Sequence, residues 1–97
     1  MPEKIYWSPK AIDHLRGIRD YIAKDSSIYA KNVISQILQK IEIIGKSPLS
    51  GRIVPEYNQS DLRERRYGNY RIVYRIKTDK IEIAAIFHTA QILKDLD

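Results

Sequence analysis

Between positions 62 and 75 the chain places Arg63, Arg65, Arg66, Arg71 and Arg75, with Tyr67, Tyr70 and Tyr74 threaded among them. A guanidinium group is a planar fork of donors that pairs with a carboxylate or phosphate through two parallel hydrogen bonds. A row of such forks suits a partner rich in either anion. The second half of the segment alternates with period two, as a strand does. Tyr70, Ile72, Tyr74 and Ile76 fall on one side, and Arg71, Val73 and Arg75 on the other. One side is then free to pack into a core while the other presents cations.

General acid–base cleavage of RNA is the one reaction these residues could support. It needs a base, an acid and cations on the phosphate. His88 is the candidate acid or base, because imidazole titrates nearest neutrality. Arg71 and Arg65 are the candidate phosphate holders, and the tyrosines could stack on bases. Each has a structural counter-reading. His88 could make a single structural hydrogen bond. Tyr70 and Tyr74 could fill the core with their hydroxyls at its rim. Arg63, Arg65 and Arg66 could be the charged edge that keeps strands from aggregating.

Other chemistries find no residues. The chain has no cysteine, which excludes disulfides and thiolate metal sites. His14 and His88 are the only imidazoles, and His14 has no second ligand at metal spacing, so no metal and no cofactor are expected. No serine sits in a glycine-flanked elbow, and Gly17, Gly45, Gly51 and Gly68 are isolated, so no loop cradles a phosphate.

The net charge is +5 and the pI about 9.5. Positions 61–75 carry the densest positive charge, the five arginines against Asp61 and Glu64. That bias favours nucleic acid or an acidic protein as partner. With 43% hydrophobic and 30% charged residues, 1–97 reads as one soluble globular domain. No apolar run approaches the roughly 20 residues that span a bilayer. The opening Met1-Pro2-Glu3-Lys4 lacks a charged-then-apolar signal pattern. A cytoplasmic location is the expectation.

The elements that must position these residues follow from pattern. Lys4–Trp7 reads as a strand. Ser8-Pro9 caps a helix running to about Ala23, its apolar face Ala11, Leu15, Ile18 and Ile22. A second helix runs from about Ile28 to Ile44, with Gly45 expected to end it and Ser47-Pro48 to prevent its continuation. Positions 49–60 read as a loop. Strands follow at 62–67, 70–77 and 81–88, joined by hairpin-sized connectors at Gly68-Asn69 and Thr78-Asp79-Lys80. In the last strand, strict alternation groups Ile81, Ile83, Ala85 and Phe87 on one side and Glu82, Ala84, Ile86 and His88 on the other. The expected fold is α+β: a two-layer β-α-α-β-β-β domain with a helical hairpin on one face of a mostly antiparallel sheet. The opposite face should display Arg71, Arg75 and their neighbours. Spacing does not fix where the first strand joins, and Thr89–Asp97 reads as either a short helix or disorder.

Several segments resemble the RelE/ParE superfamily of bacterial type II toxins. They are Trp7-Ser8-Pro9-Lys10-Ala11, Ile18–Ala23, Ser47-Pro48-Leu49-Ser50-Gly51-Arg52, Val54-Pro55-Glu56, Leu62-Arg63-Glu64, Tyr70–Arg75 and Ile83–His88. The resemblance implies a toxin held inactive by a cognate antitoxin in a hetero-oligomer. It also implies one of two targets. RelE-like members cut messenger RNA on the ribosome; ParE-like members poison DNA gyrase and are not nucleases. Arg71 matches the sheet arginine of the RelE-type site. Leu62 and Glu64 stand where lysines are expected there, Gln91 stands where an arginine is expected, and Ile92–Asp97 has no tyrosine. The Gly51-Arg52…Pro55-Glu56 segment looks like the ParE branch. The expectation is therefore a gyrase inhibitor of the plasmid-stabilising, growth-arresting kind, with Arg52, Arg63, Arg65, Arg66, Arg71 and Arg75 facing a partner. The first alternative is a ribosome-dependent endoribonuclease using Arg71, Arg65 and His88. Since Gln91 also departs from the basic residue common to both branches, the second alternative is a non-toxic module that binds an antitoxin.

Overall fold

Ser8 starts the first helix as its sequence suggests. Its backbone is extended, its Oγ accepts the Ala11 N–H at 3.0 Å, and Pro9 follows in the first turn. Ser26 does the same for the second helix, accepting from the Tyr29 N–H at 3.1 Å. The computed structural model describes residues 4–89. Along them run β1 (Ile5–Trp7), α1 (Pro9–Ala23), α2 (Ser27–Lys46), a 3-10 turn (Pro48–Ser50), β2 (Arg52–Ile53), β3 (Leu62–Tyr67), β4 (Tyr70–Ile76) and β5 (Ile81–His88). The expectations for Gln91 and for the tail beyond Thr89 lie outside the described residues.

The five strands form one sheet in the order β1-β5-β4-β3-β2, with β1 parallel to β5 and every other pair antiparallel. The fold is α+β, as expected, with the two-residue β2 added inside the predicted loop. Contrary to expectation, Gly45 does not end α2. The helix runs through it to Lys46, and Ser47 with Pro48 stops it, because proline lacks an N–H and disfavours helical backbone before it.

The helices cover one sheet face. Ala11, Val33, Ile37, Ile41 and Ile44 meet Ile72, Tyr74, Ile81, Ile83 and Ile86 there. The other face is not open. Val54, Leu62, Val73, Ala84 and Ala85 form a second, smaller core, covered by Tyr57 and Phe87. The alternation expected of β5 fails at one point. Val73 pairs with Ala85 but Tyr74 pairs with Ile83, so Ala84 is an extra residue bulging from the ladder. The bulge reverses the side-chain order. Ile81, Ile83 and Ile86 face the helices, while Ala85 and Phe87 turn to the small core.

β1 is too short to cover β5, because its last partner is Ile83. Side chains from the start of α1 complete the edge. Ser8 Oγ donates to the Ala84 carbonyl at 2.9 Å, and His14 Nδ1 accepts the Ile86 N–H at 3.1 Å. That acceptance requires an unprotonated Nδ1. Burial lowers the His14 pKa below 6.5, Lys10 lowers it further, and Asp13 opposes them. The unfolded chain therefore binds the proton more readily than the folded one. Stability is complete above about pH 6.5 and declines as pH falls below it. Urea midpoints measured between about pH 5 and 8 should show this slope in the parent and a flatter one in His14→Gln. Identical profiles would remove His14 from the edge's stability.

Candidate functional site

Arg71 projects from the middle of β4 onto the face away from the helices, and it is 5% exposed. Two carboxylates enclose it. Its Nη1 and Nη2 donate to Glu56 at 2.8 and 2.9 Å, a bidentate fork. Its Nε and Nη2 both lie 2.5 Å from Glu64 Oε1. The other Glu64 oxygen takes the Nε of Arg52. The result is a chain of alternating charge: Arg52, Glu64, Arg71, Glu56. Glu64 is 1% exposed and no buried side-chain polar atom among the described residues lacks a partner. The hydrogen bonds from Arg71 bring the Glu56 carboxyl down from the ordinary 4.5 to about 2. In return, chiefly through Glu56, the Arg71 guanidinium is held more firmly charged than usual.

A short turn delivers Glu56. The Val54 carbonyl accepts from both the Tyr57 and the Asn58 N–H, and Asn58 takes the left-handed backbone at φ 51° that asparagine tolerates. With Val54 fully buried in the small core, the turn is anchored above Arg71. The expected display of Arg71 on an open face is thus corrected. Alternation placed it on the right side, but residues 54–57 cover that side and fill its fork.

The other arginines are placed differently. Arg63 donates from Nε to the Ser60 carbonyl at 3.0 Å and from Nη1 to the Gly51 carbonyl at 3.0 Å, which pins the 3-10 turn to β3. Arg65 gives Nη1 to Ser50 Oγ at 3.1 Å. Arg66 and Arg52 are exposed. Half-buried Arg75 stands at the far end of β4, opposite Leu62 on one side and Glu82 on the other. Arg52, Arg65 and Arg66 gather around one hollow; Arg63, Arg71 and Arg75 do not join them.

His88 lies elsewhere. It lines a cleft of about 340 Å³ on the helix side of the sheet, with His14, Ile18, Tyr21, Tyr70 and Ile86. Its ring meets that of Tyr70 edge-on at 5.9 Å. Arg71 is on the opposite face, and Arg65 is two strands away from β5. The three residues considered for RNA cleavage do not converge on one phosphate. Tyr74 is fully buried. Its hydroxyl donates to the Pro48 carbonyl at 2.6 Å and accepts the Gly51 N–H at 3.0 Å.

The sequence profile of the ParE toxin of type II toxin-antitoxin systems, parDE, matches residues 5–93. The chain belongs to the ParE toxin family. It is a ParE-type toxin of a toxin–antitoxin system. Solved structures share the ParE-family fold at low sequence identity. A chain of the chromosomal ParDE system from P. aeruginosa superposes with a TM-score of 0.73 at 19% identity, covering 89% of this chain and 95% of that one. A chain of the RelBE2 toxin–antitoxin complex of Mycobacterium tuberculosis gives 0.67 at 16%, covering 91% and 99%. The YoeB dimer of Staphylococcus aureus gives 0.61 at 20%, covering 88% and 94%. No curated protein matches the sequence closely enough to count as a relative.

In this ParE-family chain, sequence reasoning overlooked Glu56, Glu64 and Ser50 as members of the arginine constellation. A signal existed. Two acidic residues sit within or beside the arginine-bearing segments, and an arginine expected in a sheet interior requires a carboxylate to accompany it.

Proposed function

We propose that this ParE-type toxin arrests DNA gyrase by binding it, performs no phosphodiester chemistry of its own, and is neutralised in the cytoplasm by a cognate antitoxin. One observation carries the reading. The guanidinium that a ribonuclease of this superfamily would turn toward phosphate, Arg71, is filled on both sides by Glu56 and Glu64. A phosphate clamp must be open to substrate when the transition state forms. A surface that only binds protein has no such requirement. Support for an antitoxin comes from the family and from the likeness to chains of ParDE and RelBE2 assemblies.

Purified toxin at micromolar concentration should inhibit gyrase supercoiling, and added antitoxin should restore it. Unchanged supercoiling overturns the target. Primer extension on translated messages should show no new cuts. Cuts that vanish in Arg71→Ala would establish the endoribonuclease instead. Expression without antitoxin should arrest growth and allow a plasmid carrying the pair to be retained. Unharmed growth would leave a non-toxic antitoxin-binding module.

A further inference from the structure

The turn at Pro48–Gly51 is fastened more tightly than a surface turn needs. Buried Tyr74 grips it at Pro48 and Gly51, and Arg63 grips it at Gly51 and, at 3.4 Å, at Leu49. The effect is to fix Ser50 and Arg52 on either side of Gly51. Between them and β3 lies a hollow of about 410 Å³, bounded by Ser50, Gly51, Arg52, Glu64, Arg65 and Arg66. Its guanidinium groups keep donors to spare. Arg65 engages Ser50 through Nη1 alone, and Arg52 engages Glu64 through Nε alone. The guanidinium of exposed Arg66 makes no hydrogen bond or ion pair with the side chains or carbonyls of the described residues. The one carboxylate in the wall, Glu64, is already shared between Arg52 and Arg71.

We propose that this hollow receives a side-chain carboxylate from an acidic, partly apolar peptide segment of the antitoxin. The proposal rests on the reading of the chain as an antitoxin-bound toxin. Three forks around one space can hold a carboxylate through charge-assisted, paired hydrogen bonds. One feature favours a peptide over nucleic acid. Beside the hollow, Leu49 is 70% exposed, and Ile53 on β2 is 37% exposed, which offers apolar contact to residues next to the acid. Arg63 and Arg71 are excluded from this role because the fold itself occupies them.

Isothermal titration tests it, with a short synthetic peptide alternating glutamate and leucine, its glutamine counterpart, and oligothymidylate. The glutamate peptide should bind and the glutamine peptide should not. Arg65→Gln and Arg66→Gln should each weaken binding about tenfold and make its salt dependence shallower. Unchanged thermal melts would show that both variants remain folded. Equal affinity in parent and variants overturns the proposal. So does oligothymidylate that binds more tightly and loses its affinity in the same variants, which would assign the hollow to nucleic acid. Growth arrest and its relief by the antitoxin are read separately. If they persist without peptide binding, the hollow fails and the toxin stands. If arrest is absent, the toxin reading fails, and the titration still decides the hollow.

Discussion

Glu64→Gln should cost this protein about 3 kcal/mol of stability, because it breaks a buried ion pair from one side only. The Glu64 side chain is fully buried and that of Arg71 is 6% exposed. Glutamine keeps the shape but loses the charge, and its amide nitrogen points a donor at one of two guanidinium groups that already need acceptors. Arg71 keeps Glu56, whose side chain is 31% exposed and can relax into water, so compensation is partial. For a domain of this size the loss corresponds to roughly 15 °C in melting temperature. Replacing both buried members, Glu64→Leu with Arg71→Met, should recover most of it, since no buried charge is then left without a partner, and the side chains of Arg52 and Glu56, 56% and 31% exposed, can turn to water. A single variant that melts with the parent would show that the pair contributes nothing. Glu56 contributes to the acid limb of stability. Its carboxyl is depressed from 4.5 to about 2, so its contribution is full above about pH 4.5 and is lost as pH falls toward 2. Glu56→Gln should abolish that part of the acid transition.

What the sequence reveals and conceals here follows from range. Ser8-Pro9 announces the first helix start because a cap acts within one turn. Gly68-Asn69 announces the β3–β4 hairpin for the same reason, with Gly68 taking the left-handed backbone at φ 55°. Arg71 shows the limit. Period two places it away from the helices, and it is found there. Whether its guanidinium meets solvent depends on Glu56, delivered by a turn whose anchor, Val54, packs into a core that no local pattern announces. The bulge at Ala84 is equally silent, since an extra residue in one strand is defined only by its partner. Without the bulge, Ile86 is assigned with Ala84 and Phe87 with the helix-facing isoleucines, which inverts half of β5. The parallel placement of β1 is a pairing across the whole chain. The arginines between positions 52 and 75 were all visible as arginines. Which of them hold the fold became visible only with the carbonyls and carboxylates that Arg52, Arg63 and Arg71 grip.

Gly51→Ala should cost about 3 kcal/mol. A Cβ there would lie 2.5 Å from Tyr74 Oη and 2.6 Å from the Glu64 carbonyl oxygen. Conformational freedom is not the reason for glycine, since its φ of −79° suits any residue. Contact is the reason, and neither neighbour can give way. The Glu64 oxygen belongs to β3, and the Tyr74 hydroxyl is held between the Pro48 carbonyl and the Gly51 N–H. Tyr74→Phe removes that hydroxyl and leaves both turn groups without it, at about 1–3 kcal/mol. The two changes should not add. In the double variant the clash with Oη is gone while the clash with Glu64 remains, so its loss should fall about 1 kcal/mol short of the sum. Strict additivity, or a Gly51→Ala protein that melts with the parent, would refute the close approach. Because this turn also carries Ser50 and Arg52, Gly51→Ala should weaken the glutamate peptide at temperatures where the protein is still folded. Tyr74 and Gly51 act on recognition only through the place they give to those two side chains.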